Sequence, residues 1–572
     1  MNSIFFLILR RLRAPLIIII VSYAFAVLGL TLMPGVDPAG NPWQMSLFEA
    51  FYVISYTATT IGFGEIPYPF SQAQRLWMVF SIYYTVIAWF YAIGRIISLV
   101  QDQNLRQTIT ISRFARTVRL LGEPFYIICG YGETGCLLAS ALDQKGIRVV
   151  TIDIAQDRIS ELELQDHQSH IPGLCADAKL PDTLINAGIG HPLCKGVAAL
   201  TSDDQANLAV AIAVKLINPE LPVLCRAEHR DTAANMASFG TDHIINPYEL
   251  FGKHLAMEVH ALGTYLLHEW LTGAPGSSLP SPACPPIGKW VVCGYGRFGK
   301  AVVENLSREQ ISCVIIEARP ELTGCTDCIV GSGTEAGTLS LAGIEEAVGI
   351  VAGTDNDIIN LSIVMTALEL KPDLFVVIRK NKSFNEPLFK KFSADITMQP
   401  SNIIAHECLA YLVTPLLAQF LTLAHEQSNA WANALISQLV SIVGENVPET
   451  WDVTLSGKLA PAVANHLGHG RPLMLATLTR DPANRDRQLP LVPLLLVRGQ
   501  HHLLLPPLDT PLELDDRILF CGKQSAMSAQ PLLLRLRKAL SYVIDGIEIP
   551  DGLIWRWMFE RRSRRAHKKT AA

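Results

Sequence analysis

Ala14 to Met33 run for twenty residues without a charge, and Leu76 to Gly94 for nineteen more. At about 1.5 Å per residue, each run suffices to cross a hydrocarbon core of roughly 30 Å. Arg10, Arg11 and Arg13 precede the first run, and Arg95, Arg106, Arg113, Arg116 and Arg119 end or follow the second. Between them, residues 34–75 hold a single cation, Arg75. This charge bias places both termini on the cytoplasmic side of a two-span hairpin. Read alone, the first run also fits a signal peptide with Ala24-Phe25-Ala26 as its cleavage site, but the second run argues for a retained hairpin.

The connection between the spans is itself apolar. Leu47, Phe48, Phe51, Tyr52, Ile54 and Ser55 lie within Ser46–Thr59, which predicts a short helix dipping into the membrane. Thr59-Thr60-Ile61-Gly62-Phe63-Gly64-Glu65 follows directly. Irregular backbone at membrane depth is tolerated where it lines a polar cavity. Two glycines flanking an aromatic suit a chain that turns its carbonyls to one side. Four such segments around an axis would stack rings of oxygens that replace an ion's hydration shell. Span, short helix, Thr60-Ile61-Gly62-Phe63-Gly64 and span together resemble the pore of two-span potassium channels. The resemblance implies K+ coordination by the carbonyls of Thr60, Ile61, Gly62 and Phe63 and by the Thr60 hydroxyl. Phe63 stands where the family commonly has tyrosine, and Glu65 where it commonly has aspartate. No ladder of arginines precedes the pore, so gating is expected from the cytoplasmic part. Gly94 reads as a hinge or as a close-packing glycine.

Beyond residue 121 the pattern changes to short apolar runs alternating with amphipathic stretches, and it occurs twice. Phe125-Tyr126-Ile127-Ile128-Cys129-Gly130-Tyr131-Gly132-Glu133-Thr134-Gly135 is matched by Lys289-Trp290-Val291-Val292-Cys293-Gly294-Tyr295-Gly296-Arg297-Phe298-Gly299. Later, Thr201, Asn207, Arg226, Asp242 and Pro247 recur as Thr354, Asn360, Arg379, Asp395 and Pro400. Each copy has G-x-G-x-x-G after a strand, and an acid, Asp153 or Glu317, twenty-three residues beyond the first glycine. That spacing fits a strand-helix-strand unit that binds a dinucleotide. The first glycine makes the turn, the second admits a diphosphate, and the third packs helix on sheet. Free amides at the helix N-terminus face the phosphates. The acid accepts from ribose hydroxyls and repels a 2′-phosphate, which favours NAD(H) or ADP/ATP over NADP(H).

The whole repeating pattern resembles the regulator-of-potassium-conductance (RCK, TrkA-N type) domain. That resemblance implies a ligand or metal contact for Asp177, whose counterpart in the second copy is Ser332. It also implies that the helices following each copy cross over between paired domains. Tyr248 to Leu271 carries one apolar stripe and predicts a continuous helix; its counterpart begins near Asn402 and breaks around Pro415. Calcium gating through Glu161, Glu163 and Asp166 ranks second, because no D-x-D-x-D-G loop accompanies them and both phosphate loops keep all three glycines.

Composition narrows the remaining choices. Of 572 residues, 49% are hydrophobic and 17% charged, with mean hydropathy +0.27, which excludes a disordered chain. Lys and Arg number 47 against 52 Asp and Glu, a net charge of −5, which argues against a nucleic-acid binder. All twelve cysteines lie from Cys129 onward, on the side where thiols stay reduced; Cys325-x-x-Cys328 lacks a second ligand pair. No metal site is assigned beyond K+ in the filter. Trp555 to Lys569 reads as a solvated basic tail or a membrane-surface segment.

The expected fold is an α-helical two-span membrane pore with a re-entrant loop, two α/β Rossmann-like RCK domains and a small α+β C-terminal lobe. The expected division is pore 1–100, linker 101–121, first RCK domain 122–247, crossover helix 248–272, Pro/Gly/Ser linker 273–287, second RCK domain 288–400, helical crossover 401–445, lobe 446–530 and basic tail 531–572. The expected protein is a homotetrameric potassium channel of the plasma membrane (the inner membrane if bacterial), opened or closed by a nucleotide. A membrane-tethered NAD-dependent oxidoreductase is the enzymatic alternative. It is disfavoured because no substrate domain with a His or Lys acid-base group is evident.

Overall fold

A computed structural model describes residues 2–64, 66–273, 283–392 and 394–546. It divides into two units, residues 1–120 and 121–572. The segment Trp555–Lys569, Glu65 and most of the 273–287 linker lie outside the described residues.

In the first unit, helices Asn2–Leu32 and Gln72–Gln101 contain the two stretches long and apolar enough to cross a membrane, Leu12–Leu32 and Gln72–Leu99. Gly29 lets them approach, since a Cβ there would lie 1.9 Å from the Trp77 ring. Three aromatic donors of the second helix find partners on the first. Trp77 Nε1 donates to Ala26 O (3.0 Å), Tyr84 OH to Ser22 O (3.1 Å) and Trp89 Nε1 to Tyr23 OH (3.0 Å). The second helix runs unbroken through Gly94. Residues expected as a linker form a helix, Gln103–Arg119, whose first turn is capped by Asp102.

The second unit holds two six-stranded parallel sheets of identical order. In the first, the strands run Gly173–Cys175, Arg148–Asp153, Phe125–Cys129, Cys194–Ala199, Val223–Arg226 and His243–Ile245. Trp290–Cys293 takes the central place in the second. The chain reverses direction beside each central strand, leaving a crevice at its C-terminal end. The recurring residues do the same job twice. Asn207 and Asn360 each accept from the backbone N–H of the threonine six residues earlier (3.0 and 2.9 Å), fixing the loop at the crevice. Asp242 and Asp395 each accept from a strand amide, Val223 N and Val376 N, at 2.7 Å.

The helices after each copy are exchanged. Tyr248, Phe251 and Leu255, which follow the first copy, are buried with Trp290, Phe298 and Val302 of the second. Ile404, Cys408 and Leu412, which follow the second, are buried with Leu138, Leu142 and Ile128 of the first. Gly252 permits the close approach: a Cβ would lie 2.7 Å from Ala301 O.

The stripe expected as one helix is two, Pro247–His260 and Leu262–Thr272, broken at Ala261 (φ −132°, ψ 52°). The break is stabilised from afar, because Asn429 Oδ1 accepts from Gly263 N at 2.7 Å. The matching break, at Thr414 before Pro415, bends its pair by 114°.

The C-terminal lobe is an antiparallel sheet in the order Glu449–Thr454, Arg517–Gly522, Leu491–Arg498, His501–Leu504. One face packs on Leu267, Trp270, Phe420 and Leu435. The other packs on Val463, Leu475, Ala526 and Leu540. Residues 531–546, expected within the tail, therefore belong to the lobe: the helices Gln524–Arg535 and Arg537–Asp545 bury Leu533, Leu534, Leu540 and Val543.

Candidate functional site

Ser46 and Glu49 form a capping box that starts the short helix Leu47–Ala58. Its C-terminal end, where the helix carries partial negative charge, leads straight into the Thr60–Gly64 segment. Ile61 N and Gly62 N both donate to Tyr56 O (3.0 and 3.1 Å), tying that segment to the helix. Thr60, Gly62 and Gly64 have φ of 62°, 64° and 72°, whereas Ile61 and Phe63 between them do not adopt positive φ. Successive carbonyls of an extended strand point to opposite sides. A left-handed residue at every second position brings them to one side. Thr60 bears this conformation although it is not glycine, a cost of about 1–2 kcal/mol that points to function. The Phe63 ring stands edge-on to Tyr56 of the same chain, centroids 6.3 Å apart.

In the second unit, Gly130 (φ +101°) makes the turn off the first copy's central strand, where a Cβ would lie 2.8 Å from Thr201 N. A Cβ on Gly135 would lie 2.0 Å from Gly130 O. Gly132 has open space before it and caps the helix Glu133–Gln144 with no side-chain partner. Asp153 is held by two amides: Oδ2 accepts from Tyr131 N at 2.6 Å, and Oδ1 from Ala155 N at 2.8 Å. Gly130, Gly132 and Asp153 line a cavity of about 630 Å³ with Asp177, Lys179 and Asp203. Its far wall comes from the exchanged helix and the second copy: Tyr248, Arg297, Arg379, Lys382 and Ser401. Six cations and six acids line the cavity, so attraction for an anion rests on the helix amides rather than on net charge.

The second copy repeats the loop. Glu317 Oε2 accepts from Tyr295 N at 2.6 Å, and Oε1 from Arg319 N at 2.9 Å. Its cavity, about 480 Å³, is lined by Gly294, Gly296, Glu317, Ser332 and Thr354. Ser332 Oγ meets Thr334 Oγ1 at 2.7 Å where the first copy presents a carboxylate.

Residues 16–102 match the family model described as an ion channel, and residues 126–247 and 290–400 match the TrkA-N domain. The chain carries an ion-channel domain and two TrkA-N domains. It is 27% identical over 209 residues to potassium channel protein 1 of Methanocaldococcus jannaschii, 36% of this chain and 61% of the relative. It is 24% identical over 222 residues to the voltage-gated potassium channel Kch of Escherichia coli, 38% of this chain and 51% of the relative. The chain thus spans about half to three-fifths of the length of these curated relatives. Among solved structures, the GsuK channel bound to NAD aligns with 92% of this chain and 98% of its own, at 15% identity and TM-score 0.46.

Within the two TrkA-N domains the fingerprint residues divide by position. Gly130, Gly132, Glu133, Thr134, Asp153 and Asp177 meet around the first cavity. Tyr131 is buried, with its hydroxyl on Gln165 Oε1 (2.9 Å), and Gly135 lies beneath the loop. Gly294, Gly296 and Glu317 line the second cavity, but four expected contacts do not. Phe298 is fully buried in the core, Tyr295 faces a separate groove, and Gly299 packs helix on sheet. Arg297 turns away from its own cavity into the first one and pairs with Glu228 at 2.6 Å. Arg379 and Tyr248 join it there, the guanidinium carbon 4.9 Å from the ring centroid. Sequence reading missed this wall because its residues lie more than a hundred positions from the loop they face. Cys129 and Cys293, beneath the two loops, have thiols pushed up to about 12 by burial, so neither supplies a reactive thiolate. Burial likewise pushes Cys325 to about 11.

Proposed function

We propose that four copies of this chain form a potassium channel in a bilayer, with both termini cytoplasmic, gated by a nucleotide held in the first TrkA-N domain. The observation that carries the pore reading is the alternation of left-handed residues at Thr60, Gly62 and Gly64 between two membrane-length helices. Carbonyls aligned on one side replace an ion's water shell without a fixed charge. Relatives named as potassium channels support K+ as the permeant ion.

NAD(H) or an adenine nucleotide fits the first cavity on three counts. The diphosphate meets the uncapped amides at Gly132, a ribose meets the Asp153 carboxylate, and the remainder extends toward Arg297 and Arg379. Glu133 of the loop accepts from Ser383 N at 3.0 Å, so a ligand there touches both domains at once and shifts their packing. Four sites, each favouring one state by about 1 kcal/mol, shift the open-to-closed ratio roughly a thousandfold.

The test is potassium flux from liposomes holding the purified chain, with and without NAD+, NADH, ADP and ATP, repeated for Gly132→Asp and Asp153→Ala. Barium-sensitive flux that follows one nucleotide, and loses that response in both variants, is expected. Flux indifferent to every nucleotide would leave the pore and discard the sensor; no flux would discard the pore.

A further inference from the structure

Where the helices Pro247–His260 and Leu262–Thr272 bend at Ala261, three side chains converge that neither the pore nor the nucleotide clefts use. His254 comes from the first helix; His268 and Glu269 come from the second. One ligand atom from each lies within 4.8 Å of the others. Glu269 Oε1 stands 3.6 Å from His254 Nδ1 and 4.0 Å from His268 Nδ1, beyond hydrogen-bonding reach of both. The two rings are 4.5 Å apart, and the ring of His425 lies 5.6 Å from that of His268.

Buried imidazoles ordinarily find partners. Here His268 is 5% exposed and its Nδ1 has none; His254 Nε2 is likewise buried without one. A carboxylate lodged between two imidazoles without bonding either is poor hydrogen-bond design. It is close to a coordination shell. Ligand atoms on a tetrahedral ion with bonds of about 2.0–2.1 Å sit about 3.3 Å apart, so side-chain rotations that draw the atoms in from within 4.8 Å close the shell.

We propose that His254, His268 and Glu269 bind one divalent first-row transition cation of the zinc type, with His425 or water completing the shell. Two imidazoles and one carboxylate suit such an ion, whereas calcium and magnesium call for oxygen alone. Other charged or titratable groups facing the cluster are Lys253, Glu258, Tyr265, Glu407 and His425.

The placement gives the ion a mechanical role. Pro247–His260 is packed into the second TrkA-N domain through Phe251 and Leu255, and Leu262–Thr272 into the lobe through Leu267 and Trp270. A bond from each helix to one ion fixes the angle between them.

Full-length chain in detergent, stripped with a chelator, is titrated with Co2+ as a spectroscopic probe and with Zn2+ in thermal melts. One Co2+ per chain with visible d–d bands is expected, together with a Zn2+-dependent rise in Tm. His254→Gln and Glu269→Gln, on different helices, each weaken Co2+ binding at least tenfold, while Cys325→Ser leaves it unchanged. The metal-free Tm of each variant reports its folding. Absence of saturable binding in the wild type overturns the site. So does wild-type affinity in either variant, or loss of binding in Cys325→Ser alone.

Discussion

The Glu228 carboxylate of the first TrkA-N domain meets the Arg297 guanidinium of the second at 2.6 Å, and it also pairs with Arg226 of its own domain. Arg297 is the residue after Gly296, in the loop that would serve the second cavity. One loop has thus been recruited as a wall of the other domain's cleft.

Replacing Arg297 by Ala removes one of two cations from a carboxylate whose side chain is 9% exposed. The expected cost is about 1–2 kcal/mol, below the 3–5 kcal/mol of stranding a buried charge altogether, because Arg226 remains. A double-mutant cycle with Glu228→Gln in denaturant melts should show non-additivity. Strictly additive losses would mean the contact is energetically idle.

The three glycines of the first loop should separate by phenotype. Gly132→Asp puts a charge into open space at the helix N-terminus, so nucleotide binding should vanish with Tm nearly unchanged. Gly135→Ala drives a methyl to 2.0 Å from Gly130 O and should cost stability first, about 1–3 kcal/mol as an overpacked contact. Calorimetric titration and thermal melts on both variants make the comparison. Equal melting points would contradict the packing role.

In the Thr60–Gly64 segment of the ion-channel domain, Gly62→Ala meets no neighbour within 4 Å, but Gly62 has φ +64°. The strain of about 1–2 kcal/mol opposes the aligned carbonyls directly. K+ flux should fall and its preference over Na+ should shrink, as read by paired ion-flux assays in liposomes. A selectivity ratio equal to wild type would count against the alternating backbone as the filter.

Asp452 lies on the lobe's edge strand with Oδ1 buried and unpartnered, and its Oδ2 accepts from Leu416 N at 3.3 Å. Burial pushes its carboxyl up from 3.8 to about 6. The unfolded chain therefore loses this proton before the folded one does. Stability falls as pH rises from about 4 to 6, and the penalty persists above that window. Asp452→Asn should raise stability at pH 7.5 by about 1–3 kcal/mol and change little at pH 4. Melts at the two pH values decide it: a gain equal at both would exclude titration as the cause.

Local chemistry made most of this legible. Uncharged runs marked the membrane helices, and glycine spacing with an acid twenty-three residues on marked both crevices. Tertiary partners hid the rest. The bend at Ala261 depends on Asn429, which stands 429 − 261 = 168 residues later. No proline announces it, as Pro415 does for its counterpart. Arg297 reads as a ligand contact until the second domain is placed beside the first. Phe298 is indistinguishable in sequence from a loop residue facing a base, yet it fills the core. His254 and His268 are fourteen positions apart, about 21 Å along an unbroken helix, and only the bend at Ala261 brings them together.

The exchanged helices also set an order on synthesis. Ile404, Cys408 and Leu412 complete the hydrophobic core of the first TrkA-N domain. Ile404 leaves the ribosome 404 − 247 = 157 residues after that domain's last strand-linked residue, Pro247. At about 5–20 residues per second, the first domain waits roughly 8–30 s with an open apolar face. The first domain's core is therefore complete only after the second domain has been made.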